Sequence, residues 1–177
     1  TLRSYMNQYY TPKRMVVAAA GNIDHAQLTA LTKNSFSQPI IENKSQNEQA
    51  KYSGGEDYRA RELEQVHLLI GFNGLAYSDE DYYALQTLSV LLGGGMSSRL
   101  FQKVREELGL AYSVYSFSSS YVDSGIFGIY AGTNPNSAGE LIETIRDEVL
   151  SLSRNISISE TNRARAQLKS GLLMSLE

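Results

Sequence analysis

The segment LLGGGMSSRLFQKVREELGLAYSVYSF, residues 91–117, constrains the fold more than any other part of the chain. Three consecutive glycines separate two runs that have apolar residues at helical spacing, and Gly109 separates the second run from a strand pattern rich in tyrosine and serine. Glycine ends helices and adopts left-handed conformations that other residues disfavour. The segment therefore predicts a helix, a sharp corner, a second helix, a left-handed turn at Gly109 and a strand.

The first part of the chain predicts a helix, a strand and another helix. Residues 1–10 read as a helix, and the small and β-branched run in residues 13–20 predicts a buried strand. Asp24, with a glutamine three residues later, predicts the start of a helix that ends near Ser35. The polar residues 38–55 have neither a helical nor a strand period, which is typical of a linker.

The second part predicts the sheet. The apolar run HLLIGF within residues 61–74 indicates a strand that is buried on both faces or central in the sheet. Ser78, at capping-box spacing from Asp81, predicts the start of the helix that the glycines end, and Leu108 is expected on the apolar side of the next helix. AYSVYSFSSS and SGIFGIYAGT predict an antiparallel hairpin, and two helices follow. We therefore predict an α+β fold, with an antiparallel or mixed sheet and helices packed on one face.

The composition excludes several kinds of function. Sixteen basic and nineteen acidic residues, with no basic cluster, argue against a nucleic-acid partner. No apolar run approaches the length of a membrane span. The chain has no cysteine, which excludes disulfides and thiolate metal sites.

The two histidines and the glycine triplet do not match known site patterns. His25 and His67 lack the spacing of a metal site or a catalytic triad, so both are interpreted as structural, and no metal site is expected in this fragment. The triplet Gly93–Gly95 follows a helix and lacks the residues of a phosphate loop. It is either a helix stop with a tight corner or a flexible loop beside a binding cleft.

Arg105 and Tyr112 lie on either side of the Gly109 corner. A helix, a glycine turn and a strand can bring a guanidinium and a phenol to one cleft edge, where both would donate hydrogen bonds to a peptide carbonyl or an oxyanion. The alternative is that Arg105 pairs with Glu106, Glu107 or solvent while Tyr112 packs in the sheet.

Three segments of the chain carry a resemblance to a known family. YYTPKRMVVAAAGNID at residues 9–24, the glycine-containing segment at residues 91–117 and the hairpin with GIFGIYAGT resemble the pitrilysin/insulinase family of zinc metallopeptidases, the inverzincins. The likeness is greatest to the branch of the mitochondrial processing peptidase and its bacterial relatives. It covers nearly the whole chain and agrees with the predicted α+β fold.

The resemblance implies which lobes the parts of the chain belong to and which residues contact the substrate. The family's zinc-binding His-x-x-Glu-His lies in a preceding lobe and is absent here, so residues 1–38 are expected to end that lobe, residues 39–55 to form a linker, and residues 56–177 to form the following substrate-contacting lobe, truncated at its C-terminus. The family's Arg-x6-Tyr pattern falls on Arg105 and Tyr112, which are expected to contact the scissile carbonyl and the transition state. Its glycine-rich segment, a substrate-binding loop, falls on Gly93, Gly94 and Gly95.

The implied function is that of a zinc endopeptidase which cleaves unfolded peptides or presequences inside a closed chamber, with zinc bound only by the full-length protein. The fragment alone would be inactive. Its expected partners are a peptide substrate, the missing zinc-binding lobe and a second subunit in a homodimer or heterodimer, with no nucleic acid and no membrane span. A non-catalytic scaffold or partner subunit of the same family, or a free-standing peptide-binding module, stays open. The compartment also stays open among bacterial cytoplasm, periplasm and mitochondrial matrix.

Overall fold

The computed structural model describes residues 1–11, 14–36 and 48–176. The chain divides into two compact units, Thr1–Glu48 and Gln49–Glu177. The division falls between residues 48 and 49, inside the predicted linker, much of which lies outside the described residues. The assignment of the two units to different lobes stays a prediction.

The first unit contains two helices, α1 (Leu2–Tyr9) and α2 (His25–Ser35). α2 begins where the sequence predicts, because the Asp24 carboxylate accepts a hydrogen bond of 2.9 Å from the backbone N–H of Gln27. This bond satisfies one of the donors that the first turn of a helix leaves unpaired. The helix also ends at the predicted residue.

The strand predicted for residues 13–20 is not present in the described part of that range. Residues 15–20 have no strand pairing, and Val16 is almost fully exposed. Lys13 lies outside the described residues. β propensity alone does not make a strand, since the backbone N–H and C=O groups need a neighbouring strand to pair with. The described part of the first unit offers no such neighbour.

The second unit contains the sheet and most of the helices. In chain order it has β1 (Val66–Asn73), α3 (Tyr82–Gly93), a π-helical segment (Phe101–Glu107), β2 (Ala111–Ser120), β3 (Gly125–Thr133), a short 3-10 turn (Pro135–Ser137), α4 (Ala138–Leu152) and α5 (Ile158–Met174).

The three strands form an antiparallel sheet in the order β1-β3-β2. The predicted hairpin of β2 and β3 is confirmed. The prediction that β1 is central or buried on both faces is wrong, because the hairpin places β3 between the other two strands. Leu69 on β1 points to the face opposite the core and is 66% exposed.

Helices cover one face of this sheet, as predicted for the α+β fold. Successive residues of a strand point to opposite faces. On β3, Phe127, Ile129 and Ala131 point into the core, where Ile129 is 0% exposed, whereas Ile126 and Tyr130 point to the other face. The core is completed by Leu91, Leu92, Leu100, Val104, Val114, Leu141 and Ile145.

Two local predictions about the helices are wrong. α3 begins at Tyr82 rather than after Ser78, because the Asp79 carboxylate accepts from the backbone N–H of Asp81 and holds a turn ahead of the helix. Leu108 is exposed rather than packed, since the preceding segment is π-helical. The wider π-helical turn, in which the Leu108 N–H bonds the Lys103 carbonyl, shifts the side chain off the apolar side.

None of the helices in the described ranges is long and apolar enough to cross a membrane.

Candidate functional site

The π-helical segment fixes the position of Arg105 through its buried neighbours. Leu100 and Val104 are fully buried against the sheet. Arg105 follows Val104 directly and lies at the edge of this contact, with its side chain 37% exposed. Segments of π-helix are rare and occur frequently at functional sites. The guanidinium is thus carried on an element that packing holds in place.

The turn at Gly109 connects this element to β2. Gly109 has φ +63°, the left-handed conformation predicted from the sequence. The backbone N–H of Leu110 then donates to the Val104 carbonyl at 2.8 Å, and the Thr133 hydroxyl donates to the Leu110 carbonyl at 2.5 Å. The turn is therefore tied both to the helical segment and to the central strand.

A β-bulge at the start of β2 directs Tyr112 outward. Ala111 pairs with Thr133 and Ser113 pairs with Gly132, so Tyr112 is the extra residue of β2 at this point. Ala111 and Val114 are buried, while Tyr112 and Ser113 between them are both exposed. Bulges commonly re-aim side chains beside active sites. Here the bulge leaves Tyr112 74% exposed instead of packed in the sheet.

The structure brings Arg105 and Tyr112 together. The guanidinium carbon of Arg105 lies 4.9 Å from the centroid of the Tyr112 ring and 4.8 Å from that of the Phe101 ring. Both distances are within the range of cation–π contacts. Phe101 is a contact that the sequence analysis did not name, although its spacing of four residues from Arg105 is the helical spacing at which side chains meet.

The alternative partners of Arg105 are weak or engaged elsewhere. The Glu106 carboxylate lies 3.9 Å from the Arg105 Nε, which is too long for a hydrogen bond. The Glu107 carboxylate pairs with Lys103. Within the described ranges, neither the Arg105 guanidinium nor the Tyr112 hydroxyl has a hydrogen-bond partner, so the donors of both groups are available to a ligand.

A separate ion pair anchors the beginning of this helical region. Arg99 donates from Nε to Glu160 at 2.7 Å and from a terminal nitrogen to its second oxygen at 3.0 Å. The backbone N–H of Ser157 also donates to Glu160, at 3.0 Å. The hydrogen bond from Arg99, followed by that from Ser157, lowers the pKa of Glu160 to about 2. This pair joins the start of α5 to the residues just before the π-helical segment.

The glycine triplet has a packing explanation at each position. A Cβ on Gly93 would lie 2.3 Å from the backbone nitrogen of Ser116, so α3 approaches β2 too closely for any side chain there. At Gly94, the C-cap of α3, a Cβ would lie 2.5 Å from the Cα of Val90, and a Cβ on Gly95 would lie 3.1 Å from Gln167 of α5. These contacts account for the corner between the helices, and the role as a substrate-binding loop stays a prediction.

Both histidines have neighbours that are not metal ligands. His25 lies 3.4 Å from the hydroxyl of Thr29, and the Nδ1 of His67 lies 2.8 Å from the hydroxyl of Tyr130. No group of three or more His, Cys, Asp or Glu side chains in the described ranges is arranged to hold a metal ion.

Comparison with known families identifies the chain. Residues 1–168 match the sequence profile of the peptidase M16 inactive domain. The chain belongs to the peptidase M16 family. This membership confirms the resemblance to the pitrilysin/insulinase zinc metallopeptidases.

Two relatives similar to this chain are named zinc proteases. The zinc protease YmxG of Bacillus subtilis is 43% identical over 178 residues, which cover 100% of this chain and 44% of the relative. A zinc protease of Rickettsia felis is 39% identical over 175 residues, 98% of this chain and 42% of the relative. The chain thus spans less than half the length of these M16 relatives.

Two solved structures have the same fold as this chain. A protease from Helicobacter pylori superposes with a TM-score of 0.77 at 22% identity, over 99% of this chain and 45% of that one. A chain of complex III2 from Candida albicans superposes with a TM-score of 0.80 at 23% identity, over 98% of this chain and 44% of that one. The α+β architecture is therefore that of this family.

Proposed function

We propose that this chain is the substrate-contacting part of a zinc-dependent endopeptidase that cleaves unfolded peptides, presequences among them, inside a closed chamber. The zinc site would lie in a lobe that precedes these residues in the full-length protein. The observation that carries the proposal is the contact between Arg105 and Tyr112 across the Gly109 turn, in an M16 chain whose relatives are named zinc proteases.

Arg105 is suited to hold a peptide carbonyl. Its guanidinium contacts the rings of Phe101 and Tyr112 through cation–π interactions, which restrain a side chain that otherwise loses much entropy on binding. The N–H groups lie in the guanidinium plane and remain available at its edge. A restrained donor of this kind binds a carbonyl oxygen at a smaller entropic cost than a mobile one.

Tyr112 would supply the second hydrogen bond. Its hydroxyl is a neutral donor on a ring that the bulge holds away from the sheet. Two donors aimed at one oxygen stabilise the negative charge that develops there when a peptide bond is attacked. Arg105 and Tyr112 would therefore bind the substrate carbonyl and stabilise the transition state.

The described residues do not fit a zinc ion of their own, because they contain no suitable cluster of ligands. Zinc would be bound by the preceding lobe, and the contribution of this chain is limited to binding and orienting the peptide. A peptide substrate and the zinc-binding lobe are thus the partners that the proposal requires, in one chain or in a homodimer or heterodimer.

A second candidate is a non-catalytic scaffold or partner subunit of the same family. The M16 profile that matches is that of an inactive domain, and the same fold occurs in a chain of a complex III2 structure. The two candidates differ in one measurable property, since a scaffold would not cleave peptides.

The test is turnover of an unfolded peptide by the full-length protein with zinc. Arg105→Ala and Tyr112→Phe should each lower kcat about 100-fold, the usual cost of removing one donor to an oxyanion. Arg146→Ala on α4 and Tyr83→Phe on α3 are matched controls at exposed positions and should leave kcat unchanged. Unchanged turnover in both site variants would refute their role. Binding without cleavage by the unaltered protein would favour a peptide-binding module, and neither binding nor cleavage would favour the scaffold.

A further inference from the structure

The face of the sheet opposite the core carries a cluster of aromatic side chains. The register places His67, Tyr115, Phe117 and Tyr130 on this side, and we call these four residues the aromatic face. Leu69 lies beside Tyr130 on the same face, and it is largely exposed. Within the three strands, the register brings no Asp, Glu, Lys or Arg to this side of the sheet.

The rings of the aromatic face are held in fixed positions. The Tyr130 ring stacks on Tyr115 with centroids 4.9 Å apart, and its hydroxyl lies 2.8 Å from the Nδ1 of His67. The Phe117 ring lies over Gly128, where a Cβ would come within 2.3 Å of it. A glycine at that position is therefore what allows the Phe117 ring to lie against the backbone. Rigid aromatic surfaces bind with little loss of side-chain entropy.

The aromatic face is continuous with the Arg105–Tyr112 site. Because of the bulge, Tyr112 and Ser113 project on the same side of β2 as Tyr115. Tyr115 is 46% exposed, so part of its ring is free to contact a ligand. Along a strand the separation of Tyr112 and Tyr115 is about 7–10 Å, which is two or three residues of an extended peptide.

We propose that the aromatic face is a specificity subsite for an aromatic side chain of the bound peptide, two or three residues from the carbonyl that Arg105 and Tyr112 hold. This inference rests on the proposed function, of which it names the preferred substrate class. The absence of charged side chains from this face of the strands favours a neutral, apolar group, and the stacked rings of Tyr115 and Tyr130 offer the geometry in which a further aromatic ring packs.

The test measures peptide binding by the full-length protein with zinc. The probes are fluorescent unfolded peptides of serine, glycine and alanine, in which a single phenylalanine is moved from position to position, and the parent peptide without phenylalanine. Stopped-flow anisotropy reads binding before turnover, so that the experiment works whether or not the peptide is cleaved. The best phenylalanine peptide should bind about tenfold more tightly than the parent, the size expected for burying much of one aromatic side chain.

Variants assign that preference to the aromatic face. Tyr115→Ala should reduce the tenfold preference to less than about threefold, and Tyr115→Phe should retain it, because the ring and not the hydroxyl makes the contact. Leu69→Glu, at an exposed position, should weaken binding of the phenylalanine peptide but not of the parent peptide. This variant replaces Tyr115→Ala in the test if Tyr115→Ala does not fold. Tyr121→Ala, just beyond the end of β2, is the matched control and should change nothing.

The outcomes separate this inference from the proposed function. A full preference for phenylalanine in both Tyr115→Ala and Leu69→Glu overturns the inference, as does equal binding of all peptides by the unaltered protein. Arg105→Ala should weaken the binding or slow the cleavage of all peptides by the same factor, including the parent peptide. If the full-length protein neither binds nor cleaves any of these peptides, the proposed function fails and the inference fails with it.

Discussion

The two faces of the three-stranded sheet are built from the same strands but serve different purposes. On the core face, Ile129 is fully buried beneath the helices, whereas on the aromatic face its neighbour Tyr130 is only partly covered and Leu69 is largely exposed. The core face supplies the burial that stabilises the unit. The aromatic face carries the exposed ring surfaces, and Tyr112 at its end contacts Arg105, which the π-helical segment brings from the core side. The burial that stabilises the unit therefore lies on one face of the sheet, and the proposed peptide contacts lie at the edge of β2 and on the other face.

The largest expected effect is the difference between matched truncations on the two faces. Ile129→Ala removes a fully buried side chain and should cost about 3 kcal/mol, because it loses burial and leaves a cavity. For a unit of this size that is a fall in Tm of about 6–12 °C, measured by calorimetry of the full-length protein. Leu69→Ala on the aromatic face should cost less than about 1 kcal/mol. Equal shifts in the two variants would show that the aromatic face is packed as firmly as the core.

A second difference lies between the two arginines near the helical segment. Arg99 is locked onto Glu160, whereas Arg105 is not hydrogen-bonded to Glu106. The pKa of Glu160 is lowered to about 2, so this carboxyl takes up a proton more readily in the unfolded chain than in the folded one. The stabilisation is complete above about pH 4.5, the ordinary pKa of the group, and is lost as the pH falls towards 2.

The Glu160→Gln variant tests this pH dependence. The stabilisation at neutral pH is on the order of 3 kcal/mol, since one pKa unit corresponds to about 1.4 kcal/mol. The variant should have a lower Tm at pH 7 and a smaller further loss between pH 5 and pH 3 than the unaltered protein. Glu143→Gln, at an exposed position on α4, should keep the original pH profile. An identical acid profile in the Glu160 variant would refute the role of the ion pair.

The smallest expected effect concerns two glycines. Gly93→Ala places a Cβ against the backbone of Ser116 and should destabilise the unit by about 1–3 kcal/mol through overpacking. Gly139 lies in the first turn of α4 with nothing near its Cβ position, so Gly139→Ala should be neutral or stabilise by up to about 1 kcal/mol. Chemical denaturation of both variants measures the difference. If the Gly93→Ala protein is as stable as the unaltered one, the packing explanation of Gly93 is refuted.

The sequence predicted the parts of the fold that depend on local signals. Apolar spacing gives the helices that end at the glycines, alternation gives the hairpin, and Gly109 indicates the left-handed turn, because each of these depends on residues close together in the chain. The strand expected at residues 13–20 and the central position of β1 were wrong, since both depend on which strands pair at long range. The apolar pattern of a sequence shows that a strand is buried on at least one face, but it does not show which elements cover that strand.

The candidate site was predictable in part for the same reason. The positions of Arg105 and Tyr112 around the Gly109 turn could be read from the sequence, and the resemblance implied their roles. The bulge at Tyr112, the π-helical turn and the contact with Phe101 could not, because a bulge is defined by the partner strand and a π-helical turn by hydrogen bonds that the apolar period does not encode. The stacking of Tyr115 on Tyr130 likewise follows only from the register of β2 on β3.

The most direct measurement is a double-variant cycle on peptide turnover by the full-length protein with zinc. The central claim is that the guanidinium of Arg105 and the hydroxyl of Tyr112 act as one unit on a single carbonyl. We predict that Arg105→Ala and Tyr112→Phe each lower kcat about 100-fold, and that the double variant is little worse than the more damaged single variant, as for groups that act together. Full turnover in either single variant, or losses that multiply in the double variant, would contradict the claim.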